Sequence, residues 1–277
     1  MGTTGTTQAA LVAANDTDAL AGVIVVDCRY SLGDDSAGRA AYEAGHIPGA
    51  YYLDLGRDLS GPVAAHGGRH PLPEPAEFAA TLAGLGIHRG SEVIAYDDNS
   101  FAYAARLWWM MRSLGYRAPR LLDGGYSAWL AAGGQPETDI PQVHPCEAPD
   151  VGTYTGLYER EEVRDALQAG GLLIDSREPR RYEGLEEPID PVAGHIPGAR
   201  NKPWQEVTTS AAQLRDEAGL REHWGEVLEA EPLVVYCGSG VTACVNLFSL
   251  SVLGRDDAIL YAGSWSDWCS YLQDTNE

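Results

Sequence analysis

The heptapeptide AGHIPGA occurs twice in this chain, at Ala44–Ala50 and again at Ala193–Ala199. Each copy is preceded by an aliphatic run closing on Asp, a small residue and Arg: VIVVDCR (Val23–Arg29) and LLIDSR (Leu172–Arg177). Downstream, SEVIAYDD (Ser91–Asp98) parallels PLVVYCGS (Pro232–Ser239), and LLDGGYSAW (Leu121–Trp129) parallels LYAGSWSDW (Leu260–Trp268). The same markers in the same order in both halves make the chain a tandem duplication of one domain. The period, well over about 100 residues, is too long for a solenoid, whose units run to about 50. Two similar folds in sequence are therefore expected.

Within each half, apolar runs alternate with helical patterns. The runs Val23–Val26 and Leu233–Tyr236 are continuously hydrophobic, as strands buried on both faces should be. Helical patterns stand between them: PAEFAATLAGLG (Pro75–Gly86), AARLWWMMRSLG (Ala104–Gly115) and CVNLFSLSVLG (Cys244–Gly254), each closing on Gly. Such alternation predicts an α/β class with a mainly parallel sheet flanked by helices in each half. The segment Gly133–Gly156 is rich in Pro and Gly and reads as a connector. The expected division is a first domain over 1–140, a linker over 141–155 and a second domain over 156–277.

The formal net charge of -21 excludes a nucleic-acid partner, which needs clustered Lys and Arg. It also means that an anionic ligand must be caught by local donors. No apolar stretch approaches the roughly 20 residues of a membrane span. The opening MGTTGTTQAALVAAND lacks the basic and apolar regions of a signal peptide, and a disordered start is expected rather than a myristoylated Gly2. The five cysteines (Cys28, Cys146, Cys237, Cys244, Cys269) show no CxxC spacing, which supports neither a disulfide framework nor a zinc site. His66, His70, His88, His144 and His223 share no metal spacing either. A cytoplasmic protein with free thiols and no metal or cofactor is the expectation.

One thiol stands apart. Cys237 closes an apolar run and opens CGSGVTA, a glycine-rich turn leading into a helical pattern. Ligands of parallel sheets bind at the carboxyl ends of the strands. Gly238 and Gly240 would let successive N–H groups turn inward as an anion nest, and the helix N-terminus adds partial positive charge. Both favour thiolate over thiol and leave the sulfur nucleophilic. In the first half Asp97 holds the corresponding place, so a single reactive centre is expected, in the second half.

These markers together resemble the tandem rhodanese-like sulfurtransferases, over nearly the whole chain from Gly22 to Trp268. CGSGVTA is similar to the active loop of the 3-mercaptopyruvate branch; the thiosulfate branch carries basic residues where this chain has Gly238 and Ser239. The resemblance implies two tandem rhodanese-like domains, the first an inactive copy. It also implies that Cys237 takes a sulfane sulfur from a small anionic donor, 3-mercaptopyruvate or thiosulfate, as a persulfide. The sulfur then passes to a thiol, cyanide or a thioredoxin-like acceptor. Gly238, Gly240, Val241 and Thr242 would frame the donor, and Arg181 would bind its anionic end. A second arginine is usual shortly afterwards; here Ile189 and Asp190 occupy that place. The mercaptopyruvate branch further implies a Ser–His–Asp relay, which maps onto Ser239, His46 and Asp35. Alternatively His46 caps a turn, as its counterpart His195 would.

Two other functions fit the sequence less well. A phosphatase of this fold needs a longer Cys-led loop closing on arginine, and no arginine follows Cys237 before Arg255. A non-catalytic sulfur-carrier or docking module fits the first half better than the second.

Overall fold

The computed structural model describes residues 10–16 and 18–273, so the expected disordered start at 1–9 lies outside the described residues. Two compact units are present. The first contains strands β1 (Leu11–Ala13), β2 (Ile24–Asp27), β3 (Tyr51–Tyr52), β4 (Val93–Tyr96) and β5 (Arg120–Asp123), with helices α1 (Ala37–Ala44), α2 (Pro75–Gly84), α3 (Ala104–Ser113) and α4 (Gly125–Ala131). The second contains β6 (Leu157–Tyr158), β7 (Leu172–Asp175), β8 (Arg200–Asn201), β9 (Leu233–Tyr236) and β10 (Ile259–Tyr261). Its helices are α5 (Arg160–Gln168), α6 (Pro179–Tyr182), α7 (Glu217–Trp224), α8 (Ala243–Val252) and α9 (Ser264–Gln273).

Every strand pair is parallel, and the two sheets share one order, β1-β5-β4-β2-β3 and β6-β10-β9-β7-β8. The central strands β4 and β9 are buried at all four residues, the reason their sequences are continuously apolar. Helices α2, α3 and α8 each stop two residues before the expected Gly. A Leu follows, then Gly86, Gly115 or Gly254 in left-handed conformation. The next amide returns to the helix (Ile87 to Leu82, Tyr116 to Met111, Arg255 to Leu250, each 2.9 Å), which satisfies a terminal carbonyl. Trp108 and Trp109 are buried in the first unit. Among the described residues no helix is long and apolar enough to cross a membrane.

The two compact units each take in segments from elsewhere in the sequence. The segment 141–155 packs with the first unit, Thr208–Leu214 also belongs there, and Pro62–Leu72 belongs to the second. The Pro62–Leu72 segment is fastened to α9: Gly67 N–H donates to Asp267 Oδ1 (2.7 Å), Arg69 N–H to Ser266 Oγ (3.1 Å), and His66 stacks on Tyr271. Gly68, at φ +85°, passes so near Gly263 that a Cβ would stand 2.6 Å from its carbonyl oxygen.

The repeated motifs hold the same joint in both units. Arg29 and Arg177 fork onto Asp27 and Asp175, two and two residues back, and each reaches a carbonyl, Gly45 O or Gly194 O, at 2.7 Å. Bidentate charged bonds of this kind keep the buried carboxylates satisfied. The Tyr96 and Tyr236 hydroxyls, in turn, accept the Ile47 and Ile196 amides at 3.2 and 3.1 Å. The D-x-R and GHIPGA repeats are thus two sides of one strand-to-turn clasp.

Candidate active site

Cys237 immediately follows β9, the central strand of the second sheet. Ser264 Oγ accepts its amide at 3.1 Å, and its carbonyl accepts from Trp265 N–H at 3.1 Å, so the start of α9 fixes the residue from both sides. The amides of Gly238, Ser239, Val241, Thr242 and Ala243 donate to no group among the described residues. The first unit shows what such a loop does when it fills itself. There the buried Asp97 carboxylate accepts N–H bonds from Asn99 (2.8 Å), Phe101 (3.1 Å), Tyr103 (2.9 Å) and Ala104 (2.9 Å). Burial raises the Asp97 pKa and these four bonds oppose the rise. One loop is filled by its own carboxylate; the other holds a thiol in that place.

The two loop glycines differ in how strictly they are needed, Gly240 by its backbone and Gly238 only by the arginine side chains above it. Gly240 sits at φ +73°, and a Cβ there would stand 2.3 Å from Ala262 O. At Gly238 a Cβ would meet Arg69 Nη2 at 3.1 Å and both terminal nitrogens of Arg181 at 3.5 Å. Cys237 is only 2% exposed, less open than the small loop suggests.

Arg181, on α6, is held by Glu187 through Nε (3.2 Å) and Nη2 (2.7 Å), and by Asp190 Oδ2 (3.1 Å). Glu187 also takes Arg177 Nη1 at 3.1 Å. Asp190, where a second arginine was expected, pairs through its other oxygen with Arg69 Nη1. Burial, and next the like charge of Arg181, lower the Arg69 pKa from its ordinary value. Arg69 escaped the sequence reading because its segment precedes the second half by about 90 residues in a chain read as contiguous domains. The signal available was an Arg-His pair in a glycine-rich stretch of a strongly acidic chain.

Each residue of the expected Ser239–His46–Asp35 relay has a partner within its own unit. Ser239 Oγ lies 2.8 Å from His70 Nδ1, an imidazole supplied by the same Pro62–Leu72 segment. His46 is fully buried, with Nδ1 2.8 Å from Tyr42 O and Nε2 3.2 Å from Asp139 O, so backbone carbonyls engage both ring nitrogens. Asp35 accepts from Tyr30 Oη at 2.6 Å instead of from an imidazole. His195 repeats the arrangement, with Nδ1 2.7 Å from Tyr182 O, and both rings stack on the tyrosine whose carbonyl they meet. The histidine of GHIPGA thus meets a tyrosine carbonyl in both copies. Replacing His46 with alanine should cost about 2 kcal/mol, from lost buried hydrogen bonds and stacking. Thermal unfolding should register this, while the ratio of activities on two sulfur donors stays unchanged; a shifted ratio would return His46 to the chemistry.

The other cysteines are packed or unremarkable. Burial, then the charge of Asp27, pushes the Cys28 thiol well up; Cys244 is fully buried and donates to Gly240 O at 3.4 Å; burial raises Cys269. All five cysteines are free.

The Rhodanese-like domain family matches the chain twice, over residues 7–132 and 159–271. The chain is 44% identical over 258 residues to the "Probable 3-mercaptopyruvate sulfurtransferase" of Pseudomonas aeruginosa, covering 89% of each protein. It is 33% identical over 264 residues to the thiosulfate sulfurtransferase of Cricetulus griseus, covering 89% of this chain and 85% of that one. Among solved structures, the 3-mercaptopyruvate sulfurtransferase from Leishmania major superposes with a TM-score of 0.82 at 32% identity, over 96% of this chain and 76% of that chain.

Proposed function

Because this chain belongs to the rhodanese family and is a sulfurtransferase, we propose that Cys237 is its sulfur carrier and 3-mercaptopyruvate its preferred donor. The observation that carries this reading is the contrast between two homologous loops. One is filled by the Asp97 carboxylate; the other places a thiol beside unpaired amides and two arginines.

The Cys237 thiolate attacks the donor sulfur. An S–S bond forms as the C–S bond breaks, and the C–S electron pair leaves as pyruvate enolate, which takes a proton at carbon to give pyruvate. With thiosulfate the broken bond is S–S and sulfite leaves with the electron pair. Either way the enzyme holds Cys–S–S⁻, whose charge the loop amides stabilise. An acceptor thiolate then takes the outer sulfur as its own persulfide and releases the Cys237 thiolate; cyanide would leave as thiocyanate.

The choice of donor rests on Ser239 and His70. An enolate needs a proton at the moment it forms, and a hydroxyl bonded to an imidazole can deliver one. Sulfite is a stable leaving anion and has no such need. Free cysteines throughout support a reducing, cytoplasmic setting and a thioredoxin-like acceptor. The test is a single turnover without acceptor. Incubation with 3-mercaptopyruvate should add one sulfur atom to the peptide bearing Cys237 and release one equivalent of pyruvate, measured by mass spectrometry and a pyruvate assay. Pyruvate release with no added sulfur on that peptide would sink the proposal.

A further inference from the structure

Resting on the reading of Cys237 as sulfur carrier, we infer that Arg69, held in place by Asp190, is the second cation that binds the oxyanion end of the donor. The carboxylate of 3-mercaptopyruvate and the sulfonate end of thiosulfate share that chemistry. The two guanidiniums converge beside the nucleophile: a Cβ on Gly238 would touch Arg69 Nη2 and both terminal nitrogens of Arg181. Neither Arg69 Nη2 nor Arg181 Nη1 donates to a protein group among the described residues, while Asp190 engages Arg69 Nη1, and Glu187 and Asp190 engage Arg181 Nε and Nη2. Each arginine is thus anchored on one edge and leaves N–H donors on the other, the arrangement that suits an anion bound across two forks.

The carboxylates explain why the pair stays together. Asp190 bridges both arginines through separate oxygens, and its side chain is almost wholly buried. Arg69, Arg177 and Arg181 are matched by Asp175, Glu187 and Asp190. The cluster therefore selects an oxyanion by aimed hydrogen bonds more than by excess charge. An anion between Arg69 and Arg181 would also relieve their mutual repulsion. On this account Asp190 does not mark a missing cation. It is the positioning residue for a cation that arrives from Pro62–Leu72, and it acts through Arg69, and through its second oxygen on Arg181, without touching the donor.

Steady-state kinetics with each donor test the inference. Arg69→Ala should raise KM on the order of 10- to 100-fold, the worth of hydrogen bonds to a charged group, with a smaller change in kcat. Arg69→Lys should recover part of the loss. Asp190→Asn should raise KM in the parent protein, yet worsen Arg69→Ala by a smaller factor than it worsens the parent, because only its hold on Arg181 is then left to lose. A rise with one donor alone assigns the clamp to that donor's oxyanion. Unchanged KM for both donors in a folded Arg69→Ala protein overturns the inference, and additive effects of the two substitutions overturn the role of Asp190. Mass measurement of persulfide at saturating donor separates the two layers. Persulfide on Cys237 alongside unchanged KM leaves the carrier reading intact and removes only the clamp; no persulfide in the parent protein removes the carrier reading itself.

Discussion

Replacing Cys237 with serine should abolish sulfur transfer from both donors, lowering kcat/KM by at least about 10³-fold. The hydroxyl is smaller and holds its proton far more tightly than a thiol, and an O–S bond to the donor sulfur is a poor store for a sulfur atom. Folding should survive. The residue is buried, but its backbone is fixed independently of the side chain by Ser264 Oγ and the Trp265 amide. Unfolding midpoints within a few degrees of the parent would confirm that only chemistry is lost. Transfer at the parent rate with either donor would mean that another thiol carries the sulfur. Cys28, Cys244 and Cys269 are poorly suited to that, since burial raises Cys28 and Cys269 and Cys244 is fully enclosed.

The parts of this protein legible in its sequence are those written locally or written twice. Continuous apolar runs gave away buried parallel strands, because β4 and β9 expose neither face. The repeated D-x-R and GHIPGA strings betrayed the duplication because both units need the same clasp of Arg, Asp and a turn carbonyl. Cys237 was legible through its glycines, which serve a φ of +73° and room for two guanidiniums. What escaped was non-local. Pro62–Leu72 precedes the second half in sequence but packs within its unit, held to α9 by Asp267 and Ser266. No periodicity reports such an exchange. His46 shows a related limit: its spacing and repetition were visible, whereas its two backbone carbonyl neighbours were not. Asp190 shows the same limit, since a carboxylate in place of a cation reads as a loss until Arg69 is seen against it.

Removing the His70 imidazole should separate the two donors. His70→Ala is expected to lower kcat with 3-mercaptopyruvate on the order of 10²-fold, the lower end for loss of a general acid, and to leave thiosulfate turnover within a few-fold. The argument runs through the leaving groups. Carbon–sulfur cleavage places an electron pair on carbon, and the transition state falls in energy only if a proton arrives there; Ser239 Oγ, 2.8 Å from His70 Nδ1, is the hydroxyl placed to pass one. Sulfite carries its pair on a sulfur already stabilised by three oxygens, so thiosulfate cleavage gains little from an acid. Ser239→Ala should therefore reproduce the selectivity, and the double variant should be little worse than either single one, because hydroxyl and imidazole act as one unit. Equal losses on both donors would instead make the pair a brace for the loop. A selective loss in His70→Ala with none in Ser239→Ala would move the proton delivery to the imidazole alone.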